Sequence, residues 1–177
     1  MFKLAIMNNA IISLGGNFNE TPSIFINLID YFNNDFSEVK KFSSVYKSSP
    51  WGFKHENDFF NQILILNTKL SSIELLNYCL KKELDFGRKR TSKKYSERNI
   101  DIDIIYYNDL IFNSERLILP HPRIHLRKFV LLPLVEVLPN YIHPVLKKTN
   151  KELLFLCSDQ GKVIKLWTIH LYQLKEI

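Results

Sequence analysis

One run in the 177-residue chain sets acidic side chains at alternate positions among branched apolar ones: Arg98-Asn99-Ile100-Asp101-Ile102-Asp103-Ile104-Ile105. Successive side chains of an extended strand point to opposite faces, so Asp101 and Asp103 share a face while Ile100, Ile102 and Ile104 pack behind it. Two strand rises put the two Cα atoms about 7 Å apart. Carboxylates that close repel one another, and a hard cation with oxygen ligands relieves them. Mg²⁺ suits the pair, because it takes one or two carboxylates and completes its shell with water and phosphate. A strand face that merely met solvent would be better served by neutral or mixed-sign residues. A phosphatase nucleophile stands just after a hydrophobic strand, whereas this pair follows Lys93-Lys94-Tyr95-Ser96-Glu97-Arg98 and lies inside its strand. The pattern is one of metal holding rather than nucleophilic attack.

Arginines gather around that run: Arg88, Arg90, Arg98, Arg116, Arg123 and Arg127. Guanidinium groups grip phosphate bidentately and keep their charge. Arg90 and Arg123, taken singly, read as solvated surface residues. Arg98 differs, since it directly precedes the aspartate strand and so stands near any metal-bound phosphate. Acidic pair and arginines together describe phosphoryl-type group transfer. Pro120-His121-Pro122-Arg123-Ile124-His125 places two histidines four apart, but no Glu or Cys stands near enough for zinc; His121 reads as a phosphate partner. Gly15-Gly16-Asn17 has neither the Walker lysine nor the dinucleotide glycine spacing, so a phosphate site here is built from side chains. His55, His143 and His170 carry no context. Cys79 and Cys157 are read as reduced core residues, too few for a disulfide framework.

These groups need a scaffold. Length and a 46% hydrophobic, 24% charged composition fit one globular domain over residues 1–177, with 1–9 as an N-terminal extension and Met7 as an alternative start. A short apolar run at Ala10–Leu14 reads as a strand, and Thr21-Pro22 opens a helix over Ile24–Phe32. Val39–Ser48 reads as one strand, Pro50-Trp51-Gly52 as a break and Phe59–Leu70 as a long strand. Ser71-Ser72 caps a helix over Ile73–Phe86 with Ile73, Leu76, Leu80 and Leu84 on its apolar stripe, stopped at Gly87. Arg88–Arg98 is expected to be an exposed, mobile loop, followed by a strand at Asn99–Tyr107, a strand pair near Ile111 and Leu117–Leu119, and helix over Leu126–Leu138 interrupted near Pro133. The fold class is therefore α+β: a ferredoxin-like βαββαβ core with an antiparallel sheet, an extra strand pair and C-terminal helical segments. The fold alone does not decide function.

The net charge of +6 suits a polyanion, either nucleic acid or a phosphorylated nucleotide. An RNA-binding module of the same topology would show an Arg/Lys-Gly-Phe/Tyr-Gly pattern on a central strand, absent from Phe59–Leu66, and an acidic pair on its sheet would repel phosphate. Small-molecule substrates are expected, without nucleic-acid or membrane partners. No apolar run approaches the roughly 20 residues of a membrane span, and Met1–Met7 lacks a secretory core, so a cytoplasmic monomer is expected.

The chain resembles the 6-hydroxymethyl-7,8-dihydropterin pyrophosphokinase family, folate-pathway enzymes that move pyrophosphate from ATP to a pterin alcohol. The likeness runs in order through Ser13-Leu14-Gly15-Gly16-Asn17, Ser43-Ser44-Val45-Tyr46, Pro50-Trp51-Gly52, Phe59-Phe60-Asn61, Gly87-Arg88, the aspartate run, Leu119-Pro120-His121-Pro122-Arg123, Arg127-Lys128-Phe129-Val130-Leu131 and Pro133-Leu134-Val135-Glu136. The resemblance implies that Asp101 and Asp103 hold two Mg²⁺ ions against ATP, and that Arg88 and Arg98 lie on loops closing over the triphosphate. It implies ATP contacts from Glu83, Arg116, His121 and Arg127. It implies pterin contacts from Asn61 and Phe129, with Ser48, Pro50, Trp51, Gly52 and Phe59 lining the pocket. Three positions depart from the family pattern: Ser96-Glu97 where Gly-Pro is usual, Leu80 where a glutamine stands near adenine, and Pro122 where an aromatic follows the histidine.

Overall fold

The computed structural model describes residues 7–18, 20–34, 36–53, 55–86 and 100–167. In chain order these form β1 (Asn8–Gly16), α1 (Thr21–Phe32), β2 (Ser37–Phe42), β3 (Val45–Ser48), β4 (Phe59–Thr68), α2 (Ser72–Asp85), β5 (Asp101–Tyr107), β6 (Phe112–Asn113), β7 (Ile118–Leu119), α3 (Lys128–Val137), α4 (Asn150–Leu156) and β8 (Val163–Trp167), with a 3-10 turn at Ile124–Leu126 before α3. The main sheet runs β5-β1-β4-β3-β8, with β2 also on β4, and its pairings are antiparallel. This is the ferredoxin-like order, extended at one edge by β8.

The strand expected over Val39–Ser48 is split into β2 and β3. At the break the Ser43 hydroxyl, not a carbonyl, accepts the Ile63 N–H at 3.0 Å, and the Gln62 side chain donates to the Ser43 carbonyl at 2.8 Å. Ser44 then turns its N–H and hydroxyl toward Glu136 of α3, which also accepts from Tyr46 and Lys165. Partial burial acts to raise the Glu136 pKa, but the hydrogen bonds from Tyr46 and Ser44 together outweigh it and hold the carboxyl below its usual range. The edge strand β8 lies in the segment the sequence pattern left unassigned.

Two cores cover the two sheet faces. On one, Ile12, Leu14, Leu64, Leu66, Ile102 and Ile104 meet Phe25, Leu28 and Phe32 of α1 and Leu75 and Cys79 of α2. On the other, Ile11, Ile63, Ile65, Ile105 and Tyr106 meet Val130, Leu131, Leu134 and Val137 of α3 and Leu153 of α4. A bulge in β5 opposite Ile11/Ile12 puts Ile105 and Tyr106 on the α3 face together and returns Tyr107 to the first core.

Helix α2 opens on the Ser71/Glu74 capping box, as the sequence predicts. Its buried row is Leu75, Cys79 and Glu83, so the expected stripe through Leu84 is rotated and Leu84 is 50% exposed. The rotation has a cause in β5: Glu83 Oε1 accepts the Ile102 N–H of this edge strand at 2.8 Å. In α1 the structure starts the helix at Thr21, whose hydroxyl accepts from Phe18 N–H instead of capping from outside. Helix α3 continues through Pro133, where an interruption was expected, and starts at Lys128. Both cysteines are free.

Candidate active site

The site lies on the α3 face of the sheet, at the C-terminal end of β1 and the start of β5. Register fixes its floor. Asp101 of β5 stands opposite Gly15 of β1, Gly15 opposite Asn61 of β4, and Asn61 opposite Tyr46 of β3. One row along, Asp103 stands opposite Ser13. The aspartates therefore share a face, as the alternation predicts, and both line one cavity of about 150 Å³. Gly15 leaves the floor between Asp101 and Asn61 bare. A Cβ there would come within 3.8 Å of Asn61 Oδ1 and would stand between the acidic and amide ends of the site. Those ends are two strand spacings apart, about 10 Å.

Asn61 and Ser48 are buried, at 4% and 3% exposure, and the Asn61 amide donates to Ser48 Oγ at 2.9 Å. That bond fixes the amide so that its remaining donor and acceptor serve a ligand's polar edge. Aromatic walls rise around it. Phe59 meets Phe53 and His55 edge-on, at 5.9 Å in both cases, and Trp51 meets Phe129 at 6.3 Å. Gly52 has φ of +77°, a conformation that glycine adopts without cost. It lets the loop turn with Trp51 and Phe53, its two neighbours, both lining the cavity.

Arg127 joins the two ends. Its guanidinium lies 5.0 Å from the Trp51 ring centre and 5.7 Å from that of Phe129, and Nη1 lies 4.0 Å from Asp103 Oδ2. His121 is held beside it. The carbonyl of the bulge residue Ile105 accepts the His121 N–H at 3.0 Å. The Arg123 N–H donates to His121 Nδ1 at 3.3 Å, which leaves the ring proton on Nε2. Burial, then the Arg127 and Arg123 guanidiniums, lower the His121 pKa to about 4, with Asp101 acting the other way. His121 is thus a neutral donor among permanent cations.

Of the residues singled out from the sequence, Asp101, Asp103, Arg127, Ser48, Trp51, Phe59, Asn61 and Phe129 line this one cavity. Pro50 and Gly52 belong to its loop without lining it. Glu83 is buried under β5, and Arg116 donates to Asn77 at 2.6 Å on the surface; neither lines the cavity. Arg88 and Arg98, with the loop assigned to them and the Ser96-Glu97 departure, lie outside the described residues. Phe53, His55, Ser13 and Arg123 also line the cavity and were not singled out as site residues. The spacing His121-x-Arg123-x-x-x-Arg127 carried a signal for Arg123, which reads as surface only when taken alone.

Among the described residues no group of three or more His, Cys, Asp or Glu side chains is placed to hold a metal, so the protein's share of a coordination shell here is two carboxylates. That donor set fits Mg²⁺ sharing its remaining positions between water and phosphate oxygens.

Residues 11–139 match the model of the family described as 7,8-dihydro-6-hydroxymethylpterin-pyrophosphokinase (HPPK). The 2-amino-4-hydroxy-6-hydroxymethyldihydropteridine pyrophosphokinase of Aquifex aeolicus is 38% identical over 146 residues, covering 82% of this chain and 90% of that protein. The folic acid synthesis protein FOL1 of Dictyostelium discoideum is 36% identical over 146 residues, covering 77% of this chain but 22% of that protein. A crystal structure of Plasmodium falciparum HPPK-DHPS superposes with a TM-score of 0.72 over 87% of this chain and 46% of that one, at 14% identity, a likeness of fold. The chain thus spans about a fifth of the Dictyostelium protein and under half of the Plasmodium one. Taken with the cavity, these matches place the chain in the 7,8-dihydro-6-hydroxymethylpterin-pyrophosphokinase family.

Proposed function

We propose that this chain transfers pyrophosphate from ATP to 6-hydroxymethyl-7,8-dihydropterin, releasing AMP, as a step of folate biosynthesis. The observation that carries this is the row Asp101–Gly15–Asn61: an acidic pair and a buried, pre-oriented amide face one cavity across a bare glycine. A flat heterocycle fits between Phe59 and Phe129 with its polar edge on Asn61, which directs its hydroxymethyl arm toward the aspartates. The hydroxyl oxygen bonds to the β-phosphorus as the bond from that phosphorus to the AMP oxygen breaks. The hydroxyl proton passes to solvent and AMP leaves with the bridging electrons.

Asp101 and Asp103 would hold two Mg²⁺ ions, which when bound neutralise charge on the phosphate oxygens. Arg127 and His121 supply donors to the same oxygens, the histidine as a neutral Nε2–H. Arg88, Arg98 and Arg116 complete the cationic shell in this reading, and Glu83 acts from beneath by holding the β5 backbone that carries the aspartates. Alignment and charge neutralisation do the work, so no covalent nucleophile is required. We read the chain as a cytoplasmic monomer of one domain over 1–177, with two small-molecule substrates and no nucleic-acid or membrane partner. Among the described residues no helix is long and apolar enough to cross a membrane.

The test is product identity. Purified protein with ATP, Mg²⁺ and the pterin alcohol is expected to form AMP and the pterin diphosphate in equal amounts, and neither without the pterin. Formation of ADP instead, or no reaction, would overturn the proposal.

A further inference from the structure

We propose that Asp159, beyond the family-matched residues, is a positioning residue that sets the width of the pterin cleft by tying the first turn of α3 to the loop after β3. This inference rests on the pterin-binding reading above. The cleft has two facing walls. One is the first turn of α3, which presents Arg127 and Phe129; the other is the Ser48–Trp51 segment.

The first N–H groups of a helix need acceptors from outside it. The N-cap residue of α3 is Arg127, whose guanidinium has only donors and cannot supply one. Asp159 does so: its Oδ2 accepts the Lys128 N–H, the first of α3, at 3.0 Å. A carboxylate there also complements the positive end of the helix dipole. Its other oxygen, Oδ1, accepts the Gly161 N–H at 2.8 Å. That turn delivers the next carbonyl, of Lys162, to the Ser49 N–H at 3.0 Å, and Val163 then begins β8 opposite Ser48.

One carboxylate therefore bridges both walls, from Phe129 through Lys128 and Asp159 to Ser49. The fit at its far end is close. A Cβ on Gly161 would lie 3.0 Å from Asp159 Oδ1 and 3.5 Å from Ser49 Oγ. With the clamp gone, the first turn of α3 is free to fray, and the Phe129 ring and the Arg127 guanidinium lose their fixed distances to Trp51. Misplacement of substrate-holding groups by about 1 Å is enough to weaken a reaction strongly.

The experiment compares wild type, Asp159→Ala, Asp159→Asn and Phe155→Ser, the last on the outer face of α4 at 89% exposure and outside the cavity. Calorimetry gives the pterin Kd and steady-state assays give KM and kcat. Loss of a helix cap predicts a rise of about tenfold in pterin Kd and KM for Asp159→Ala, with kcat within about twofold. Asp159→Asn, which keeps one acceptor oxygen, is expected to fall between it and wild type, and Phe155→Ser to match wild type. Should Asp159→Ala fail to fold, Asp159→Asn decides alone, by a pterin Kd raised or unchanged. Pterin Kd within twofold of wild type in the folded variants, with only the melting temperature lowered, would make Asp159 purely structural and overturn the inference. A wild type that does not bind the pterin would overturn the functional reading, and this inference with it.

Discussion

The ionisation of His121 offers the sharpest quantitative test of the phosphate end. Its folded pKa of about 4 lies below the ordinary value of 6.5, chiefly through burial and then through Arg127 and Arg123. Between those two values the unfolded chain binds more protons than the folded one, so stability from this group is complete above pH 6.5 and is lost as pH falls toward 4. Linkage arithmetic with these values gives a loss of about 2 kcal/mol between about pH 7 and about pH 5, from a full span of about 1.4 kcal/mol per pKa unit. Glutamine at this position does not titrate there. Urea unfolding of wild type and His121→Gln at the two pH values, without nucleotide, isolates the difference, since other acid-labile groups such as His143 are common to both. The expected result is that wild type loses about 2 kcal/mol more than the variant on acidification. Parallel losses, within about 0.5 kcal/mol, would mean the imidazole is solvated and ordinary. The assignment of a neutral Nε2–H donor among cations would then fail.

Three further outcomes follow from the same geometry. Phe129→Ala is expected to raise pterin Kd about tenfold by calorimetry through loss of one aromatic face, with ATP affinity within about twofold; equal loss of both ligands would remove Phe129 from the pterin wall. Leu64→Ala, at 0% exposure on the central strand β4, is expected to cost about 2–5 kcal/mol in urea unfolding, and a cost under about 1 kcal/mol would contradict the packing described. Glu136→Leu removes the acceptor for Ser44 and Tyr46 and is expected to cost about 2–3 kcal/mol near neutral pH. Because the folded Glu136 pKa is depressed, its contribution is present above the ordinary carboxylate range and fades as pH falls through the folded value; a wild type/variant difference that persists undiminished at about pH 3 would refute that account.

The aspartate strand was legible in the sequence because alternation with period two needs no tertiary knowledge, and the capping box of α2 because Ser71 and Glu74 satisfy each other locally. The features that escaped depend on partners distant in sequence. The split at Ser43 is made by Ile63 and Gln62, some 20 residues on. The rotation of α2 comes from a backbone N–H of β5 that only the assembled sheet brings near Glu83. Strand β8 forms because β3 presents an open edge, which a short mixed stretch such as Val163–Trp167 does not announce. Within the site, the ordered motifs named Asn61, Phe129 and Arg127. His55 and Phe53 came into view only through the turn at Gly52 and their edge contacts with Phe59.

The account depends on the paired carboxylates of β5 acting as the seat for a divalent cation that nucleotide shares. Calorimetric binding of a non-hydrolysable ATP analogue, with Mg²⁺ and with EDTA, in wild type and in Asp101→Asn/Asp103→Asn, tests this most directly. The account predicts that Mg²⁺ tightens nucleotide binding at least tenfold in wild type and has no such effect in the double variant, with both proteins showing the same far-UV circular dichroism. An equal Mg²⁺ effect in the two proteins would contradict it.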